Sequence, residues 1–141
     1  MDTPESWLLA FGGLVFALLG IVHALFTAQD AVRPSRIVPW DAAVTAAMQG
    51  ATLKLTRQTT VWKAWIGFNF SHALGLVLFG AGCIGGAVAT ASVSTAAVAL
   101  AASAVAVLYL ILAVRYFFST PRNGVILALA CFVAATALGL G

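Results

Sequence analysis

The chain has 141 residues, of which 62% are hydrophobic and 8% are charged, and its mean hydropathy is +1.06. Soluble domains usually carry about 25% charged residues, so this composition excludes a water-soluble globule. The net charge of +3 comes without runs of Lys or Arg, which argues against nucleic acid as a partner. We therefore expect a single integral membrane domain over 1–141, with an all-α fold: a four-transmembrane-helix bundle in contact with the lipid bilayer.

Four apolar segments are long enough to cross a bilayer, because about 20 residues span its core of about 30 Å. These predicted spans cover residues 7–27, 62–88, 96–118 and 124–141. Asp2 and Glu5 stand where a signal peptide would be basic, so we expect the first span to be retained. An uncharged connection, 89–95, joins the second and third spans, and Pro121–Gly124 is predicted to be a turn before the fourth.

The chain between the first two spans is polar. Pro34 and Pro39 predict a loop at its start. Apolar residues then recur at spacings of three, four or seven over residues 40–58, with polar residues displaced from that stripe. This pattern predicts an amphipathic helix that lies along the membrane surface or packs under the bundle. The alternative is that residues 40–58 are simply the exposed beginning of the second span.

The basic residues predict the orientation in the membrane. All seven fall on two connections, the first counted through Lys63: Arg33, Arg36, Lys54, Arg57, Lys63, Arg115 and Arg122. Basic residues near spans favour the cytoplasmic side, so we expect an inner-membrane protein whose termini both lie outside the cytoplasm. The amphipathic helix is then cytoplasmic. Lys54, Arg57 and Lys63 are expected at the membrane interface near anionic headgroups, and Arg115 is expected to reach the same interface from the third span.

A polar stripe inside the second span is the candidate site. Trp65, Asn69 and His72 stand at i, i+4 and i+7, so they share one face of a helix, and His23 lies in the first span. Polar side chains at membrane depth usually face partner helices or a wet cavity. We predict these four as ligand-binding residues in the cytoplasmic half, while hydrogen bonding between helices remains the simpler interpretation.

Several chemistries find no support in the sequence. The spans hold no pair of carboxylates for acid–base work, and two histidines without a carboxylate make a poor transition-metal site. Cys83 and Cys131 are expected to be free thiols. We therefore assign no catalytic residues and no metal, and leave enzymatic activity open.

The second span carries the string Trp62-x-x-Trp65-x-Gly67-Phe68-Asn69-x-Ser71-His72-x-Leu74-Gly75. This string, together with Gly20-x-x-His23 in the first span, resembles small four-span bacterial integral membrane proteins of uncharacterised function. The resemblance covers most of the chain and implies the same four-helix topology. It implies no activity, substrate or cofactor.

Three functions remain open at this point. The first is a pocket for a small amphipathic molecule or lipid, with His72 and Asn69 at its polar end, or an enzyme in which His72 acts as acid or base. The second is an accessory subunit of a larger membrane complex or homo-oligomer. The third is a small haem protein with His23 and His72 as axial ligands, which their unequal depths in the spans disfavour.

Overall fold

The computed structural model describes residues 2–89 and 94–141, and within them five α-helices and one hairpin. The elements are α1 (Pro4–Val32), α2 (Ala42–Gly50), β1 (Thr52–Leu53), β2 (Thr56–Thr60), α3 (Val61–Val88), α4 (Thr95–Tyr116) and α5 (Ser119–Leu140). Among these residues α1, α3, α4 and α5 are long and apolar enough to cross a membrane. This confirms the predicted all-α class with four membrane-length helices. Within the predicted connection 89–95, residues 90–93 lie outside the described residues.

The helix predicted between the first two spans is present, but its extent differs from the prediction of 40–58. It begins where the Asp41 carboxylate accepts a hydrogen bond from the Ala43 amide at 2.8 Å, and it ends at Gly50. The part of the prediction that covered residues 51–58 was wrong, because the following residues form the antiparallel hairpin β1–β2. Glycine weakens a helix, and the β-branched threonines after it favour extended backbone.

The first turns of α3 and α5 can also be explained by local sequence. The Thr60 hydroxyl accepts a hydrogen bond from the Lys63 amide at 3.2 Å, so Thr60 caps the first turn of α3. The turn predicted at Pro121–Gly124 is instead helical, and the break falls at Phe117–Phe118. Proline is tolerated in a first helical turn because the amides there have no partner within the helix.

The contacts divide the chain into two compact units. The first contains the chain up to Leu19 and Leu76–Gly141, and its core is aromatic. Phe16 and Phe132 are fully buried and stack with ring centroids 6.1 Å apart, while Phe79 meets Phe16 edge to face at 4.8 Å. The residues of α4 that are buried are all alanines, which recur at helical spacing: Ala96, Ala99, Ala102, Ala106 and Ala113.

Helices α1 and α3 are in close contact at two glycines of the first unit, Gly13 and Gly80. A Cβ added to Gly13 would lie 2.7 Å from the carbonyl oxygen of Gly80 and 2.8 Å from Cβ of Cys83. Real Cβ atoms do not come this close to neighbours, so the crossing requires glycine. Small residues such as these allow the backbones of membrane helices to approach closely.

The second unit is Gly20–Gly75. It contains the C-terminal part of α1, the connecting segment with α2 and the hairpin, and the N-terminal part of α3. An amide–carbonyl hydrogen bond from Val61 to Ala51, at 2.9 Å, closes the base of the hairpin directly at the start of α3. The prediction of a single domain stays a prediction. All candidate ligand-binding residues lie in this second unit.

Candidate functional site

The structure brings together His23 of α1 with Asn69 and His72 of α3. Nε2 of His23 lies 2.9 Å from Oδ1 of Asn69. The rings of His23 and His72 meet edge to face, with centroids 5.3 Å apart and planes inclined by 78°. Sequence reasoning left open whether the two histidines face each other, and the structure places them in contact. We call these three residues the His–Asn cluster.

The hydrogen-bond directions within the His–Asn cluster follow from its partners. Nδ2 of Asn69 donates to the backbone carbonyl of Trp65 at 2.8 Å, and a carbonyl oxygen can only accept. The other amide atom, Oδ1, therefore accepts from Nε2 of His23. His23 must then carry a hydrogen on Nε2, so that Nδ1 is the acceptor atom whenever the ring is neutral. The amide thus selects one tautomer of the histidine.

The amide of Asn69 is more deeply buried than the two histidines, which indicates different roles. Asn69 is only 6% exposed, and both of its polar atoms are engaged. His23 and His72 are only partly buried. The buried amide fixes the ring of His23 in place, whereas both histidines remain partly exposed. A neutral imidazole can accept from a hydroxyl or ammonium group, and a protonated one can donate to a phosphate or carboxylate.

A buried carboxylate supports the end of α1. Asp30 is fully buried, and its Oδ1 accepts hydrogen bonds from the amides of Ser35 and Arg36, both at 2.8 Å. Its Oδ2 accepts from the amide of Ile37 at 2.7 Å. This side chain therefore fixes the path of residues 35–37 after the helix. We call Asp30 with its three amide partners the Asp30 latch.

The Asp30 latch was not predicted from the sequence, because the polar residues after the first span are typical of an ordinary loop. A signal was present nonetheless. The C-terminal turn of a helix is electrostatically unfavourable for an acidic side chain, so an aspartate there needs other partners. Arg36 is held on the same segment, with its guanidinium 5.6 Å from the ring centroid of Phe26.

Trp65 joins the Asp30 latch to the His–Asn cluster. Its indole Nε1 donates to the carbonyl of Ile37 at 3.3 Å, and its own carbonyl accepts from Asn69. The side chain is 37% exposed, so part of the ring remains available to a ligand. Thr27, fully buried one turn after His23, donates to the His23 carbonyl at 2.8 Å. All four residues predicted as ligand-binding therefore belong to one connected network.

The four basic residues predicted at the membrane interface are all exposed. Lys54 lies at the tip of the hairpin, Arg57 on β2, Lys63 in the first turn of α3 and Arg115 in the last turn of α4. Their exposure is compatible with contact to lipid headgroups. That role stays a prediction.

The geometry does not favour haem between the histidines. Axial ligands stand on opposite faces of the macrocycle, whereas the rings of His23 and His72 touch each other and Nε2 of His23 is bonded to Asn69. The expected difference in depth does not keep the two rings apart, since their centroids lie 5.3 Å from each other. Within residues 2–89 and 94–141 there is also no group of three or more His, Cys, Asp or Glu side chains arranged to hold a metal ion.

Comparison with protein-family models, with curated proteins and with solved structures finds no match. The resemblance to small four-span bacterial membrane proteins stays a prediction.

Proposed function

We propose that this chain is a multi-pass membrane protein that binds the polar end of a small amphipathic molecule or lipid at the His–Asn cluster. The observation that carries the proposal is the contact between two partly exposed imidazoles, one of which is held in a single tautomer by a buried amide. A hydrogen bond that only joins two helices needs one donor and one acceptor. The cluster also contains a second imidazole ring and a supporting hydrogen-bond network, which are not required to join two helices.

The proposed ligand has a polar end that meets His23 and His72 and an apolar body that meets aromatic surface. Trp65 supplies part of that surface beside the cluster. Ligand sites in proteins combine mostly apolar walls with a few fixed polar groups, and the second unit has both. The tautomer of His23 favours a ligand group that donates a hydrogen bond, such as a hydroxyl, when the ring is neutral.

We also propose on which side of the membrane the His–Asn cluster lies. All seven Lys and Arg residues lie on the connections between spans one and two and between spans three and four, counting Lys63, Arg115 and Arg122 in the adjoining helix ends. Basic residues favour the cytoplasmic side, so we assign the cluster to the cytoplasmic half of an inner-membrane protein. Both termini are then outside the cytoplasm.

Native mass spectrometry in mild detergent, combined with thermal melting, tests the proposal. The wild type should retain a lipid-like mass. His72→Ala should weaken that retention about tenfold, because one hydrogen bond at a desolvated site contributes about 1 kcal/mol or somewhat more and about 1.4 kcal/mol is a factor of ten. Asn69→Ala should also weaken it, since it releases the ring of His23.

Ser71→Ala is the matched control. Ser71 adjoins His72 but is exposed, and its hydroxyl donates to the Phe68 carbonyl of its own helix at 2.8 Å. This variant should keep the ligand. A wild type that carries no ligand, with a His72→Ala variant that only melts at a lower temperature, would contradict the binding function.

A second candidate function, an accessory subunit of a larger complex, rests on a different observation in the first unit. Gly82 and Gly85 are exposed on α3, and a Cβ added to either would meet nothing within 4 Å. Gly82 also lines an apolar cleft of about 220 Å³, together with Phe79 and Val98 among others. Small residues let another membrane helix approach closely. A native mass well above the 14.5 kDa of one chain, lost in Gly85→Leu, would favour this candidate.

A further inference from the structure

The segment between α1 and α3 exposes two large apolar side chains almost completely. Trp40 is 101% exposed and Leu55 is 93% exposed. Single exposed apolar residues are common on proteins. A tryptophan without protein cover, on the connection between two membrane-length helices, is however typical of the membrane–water interface, where its ring lies at headgroup depth.

The hairpin fixes where Leu55 stands. Lys54 and Leu55 form the two-residue tip between β1 and β2. The strands are closed at their base by the Val61–Ala51 hydrogen bond, directly at the start of α3. One apolar and one cationic side chain are therefore presented together by a short, closed turn beside a membrane-length helix.

The same segment is basic. Residues 33–60 contain four Lys or Arg residues and a single acidic residue, Asp41, whose carboxylate caps α2. Lys54 and Arg57 are exposed, and among the residues that the structure describes neither forms an ion pair. Helix α2, which begins directly after Trp40 and Asp41, contacts β2. Exposed cations and exposed apolar side chains therefore belong to one connected segment.

We propose that Trp40 and the hairpin tip form a lipid-headgroup contact that binds anionic phospholipids at the membrane surface. Lys54 and Arg57 contact the phosphate groups, while Leu55 and Trp40 enter the interfacial layer. A basic side chain close to an anionic surface increases binding about fivefold. This surface is separate from the His–Asn cluster, and the proposal does not depend on a ligand there.

Acrylamide quenching of tryptophan fluorescence tests the insertion of Trp40. The measurement uses the full chain, one copy per nanodisc, as wild type and Trp40→Phe, and the difference between them isolates Trp40. Because the protein leaves this side chain uncovered, any protection must come from lipid. We expect strong protection in nanodiscs that contain phosphatidylglycerol. Quenching of Trp40 as fast as that of free tryptophan, in every lipid, would overturn the proposal.

Native mass spectrometry tests the charges. Lys54→Gln with Arg57→Gln should weaken retention of phosphatidylglycerol about 25-fold, at about fivefold for each side chain, and leave phosphatidylcholine unchanged. The matched control removes two exposed charges outside this segment, Arg115→Gln with Arg122→Gln. An equal loss in both double variants would show a general effect of net charge and would overturn the assignment to the hairpin. Melting temperatures show that each variant is folded.

Discussion

Removing the Asp30 carboxylate should release the chain after α1. In Asp30→Ala the amides of Ser35, Arg36 and Ile37 lose their acceptors. Hydrogen bonds to charged groups contribute about 1.5–3 kcal/mol each, but the released amides regain water as the segment opens. We therefore expect a local loss of about 3 kcal/mol, well below the sum of the three bonds.

Hydrogen exchange measures this loss directly. At about 1.4 kcal/mol for each factor of ten, the amides of residues 35–37 should exchange roughly a hundredfold faster in Asp30→Ala than in the wild type. In Asp30→Asn, one side-chain oxygen remains for the pair that binds Oδ1, so the Ile37 amide should lose protection first. Trp65 fluorescence should also change, because its indole is bonded to the Ile37 carbonyl.

Asp41→Ala is the control for the Asp30 experiment. Asp41 accepts one amide hydrogen bond at the start of α2, so its loss should cost about 1 kcal/mol and affect only that helix. Unchanged exchange of residues 35–37 in Asp30→Ala would refute the reasoning. It would mean that the three hydrogen bonds do not hold this segment.

Three further predictions concern packing, capping and topology. Gly13→Val should destabilise the first unit by about 1–3 kcal/mol, measured by thermal melting in detergent, whereas Gly82→Ala should be neutral or slightly stabilising because its Cβ enters open space. Thr60→Val should cost about 1 kcal/mol and increase exchange of the first amides of α3, including that of Lys63, whereas Thr60→Ser should not. A reporter fused to Gly141 should behave as one outside the cytoplasm, and cytoplasmic activity there would contradict the assigned orientation.

The four membrane-length helices could be predicted because composition and length suffice for that decision. An apolar run of about 20 residues in a chain with 8% charge has few alternatives to a membrane helix. The connecting segment could not be predicted to the same degree. Apolar residues at helical spacing continue beyond Gly50, and only the glycine and the threonines after it distinguish a short helix followed by a hairpin from one longer helix.

The residues of the candidate site could be predicted from the sequence, but the contacts between them could not. Helical periodicity places Trp65, Asn69 and His72 on one face, which follows from spacing alone. The contact between His23 and His72 depends on how α1 and α3 are rotated and tilted, and spacing within each helix does not determine this. The position of Asp30 in the last turn of α1 indicates that the carboxylate needs partners, but the partners themselves depend on the path of a loop. The backbone amides that donate to Asp30 carry no sequence signature.

The ¹⁵N signals of the histidine ring nitrogens give the most direct test of the central claim, which is that a ligand binds at the His–Asn cluster. The chain has two histidines, so ¹⁵N-histidine labelling yields few signals, and His72→Ala identifies those of His23. Spectra are compared for protein purified in mild detergent and for protein stripped of lipid by repeated detergent exchange. Binding at the His–Asn cluster predicts that ring signals of His23 and His72 both shift on stripping and return when the lipid extract is restored. Ring signals that are identical in all three samples would contradict a ligand site at these residues.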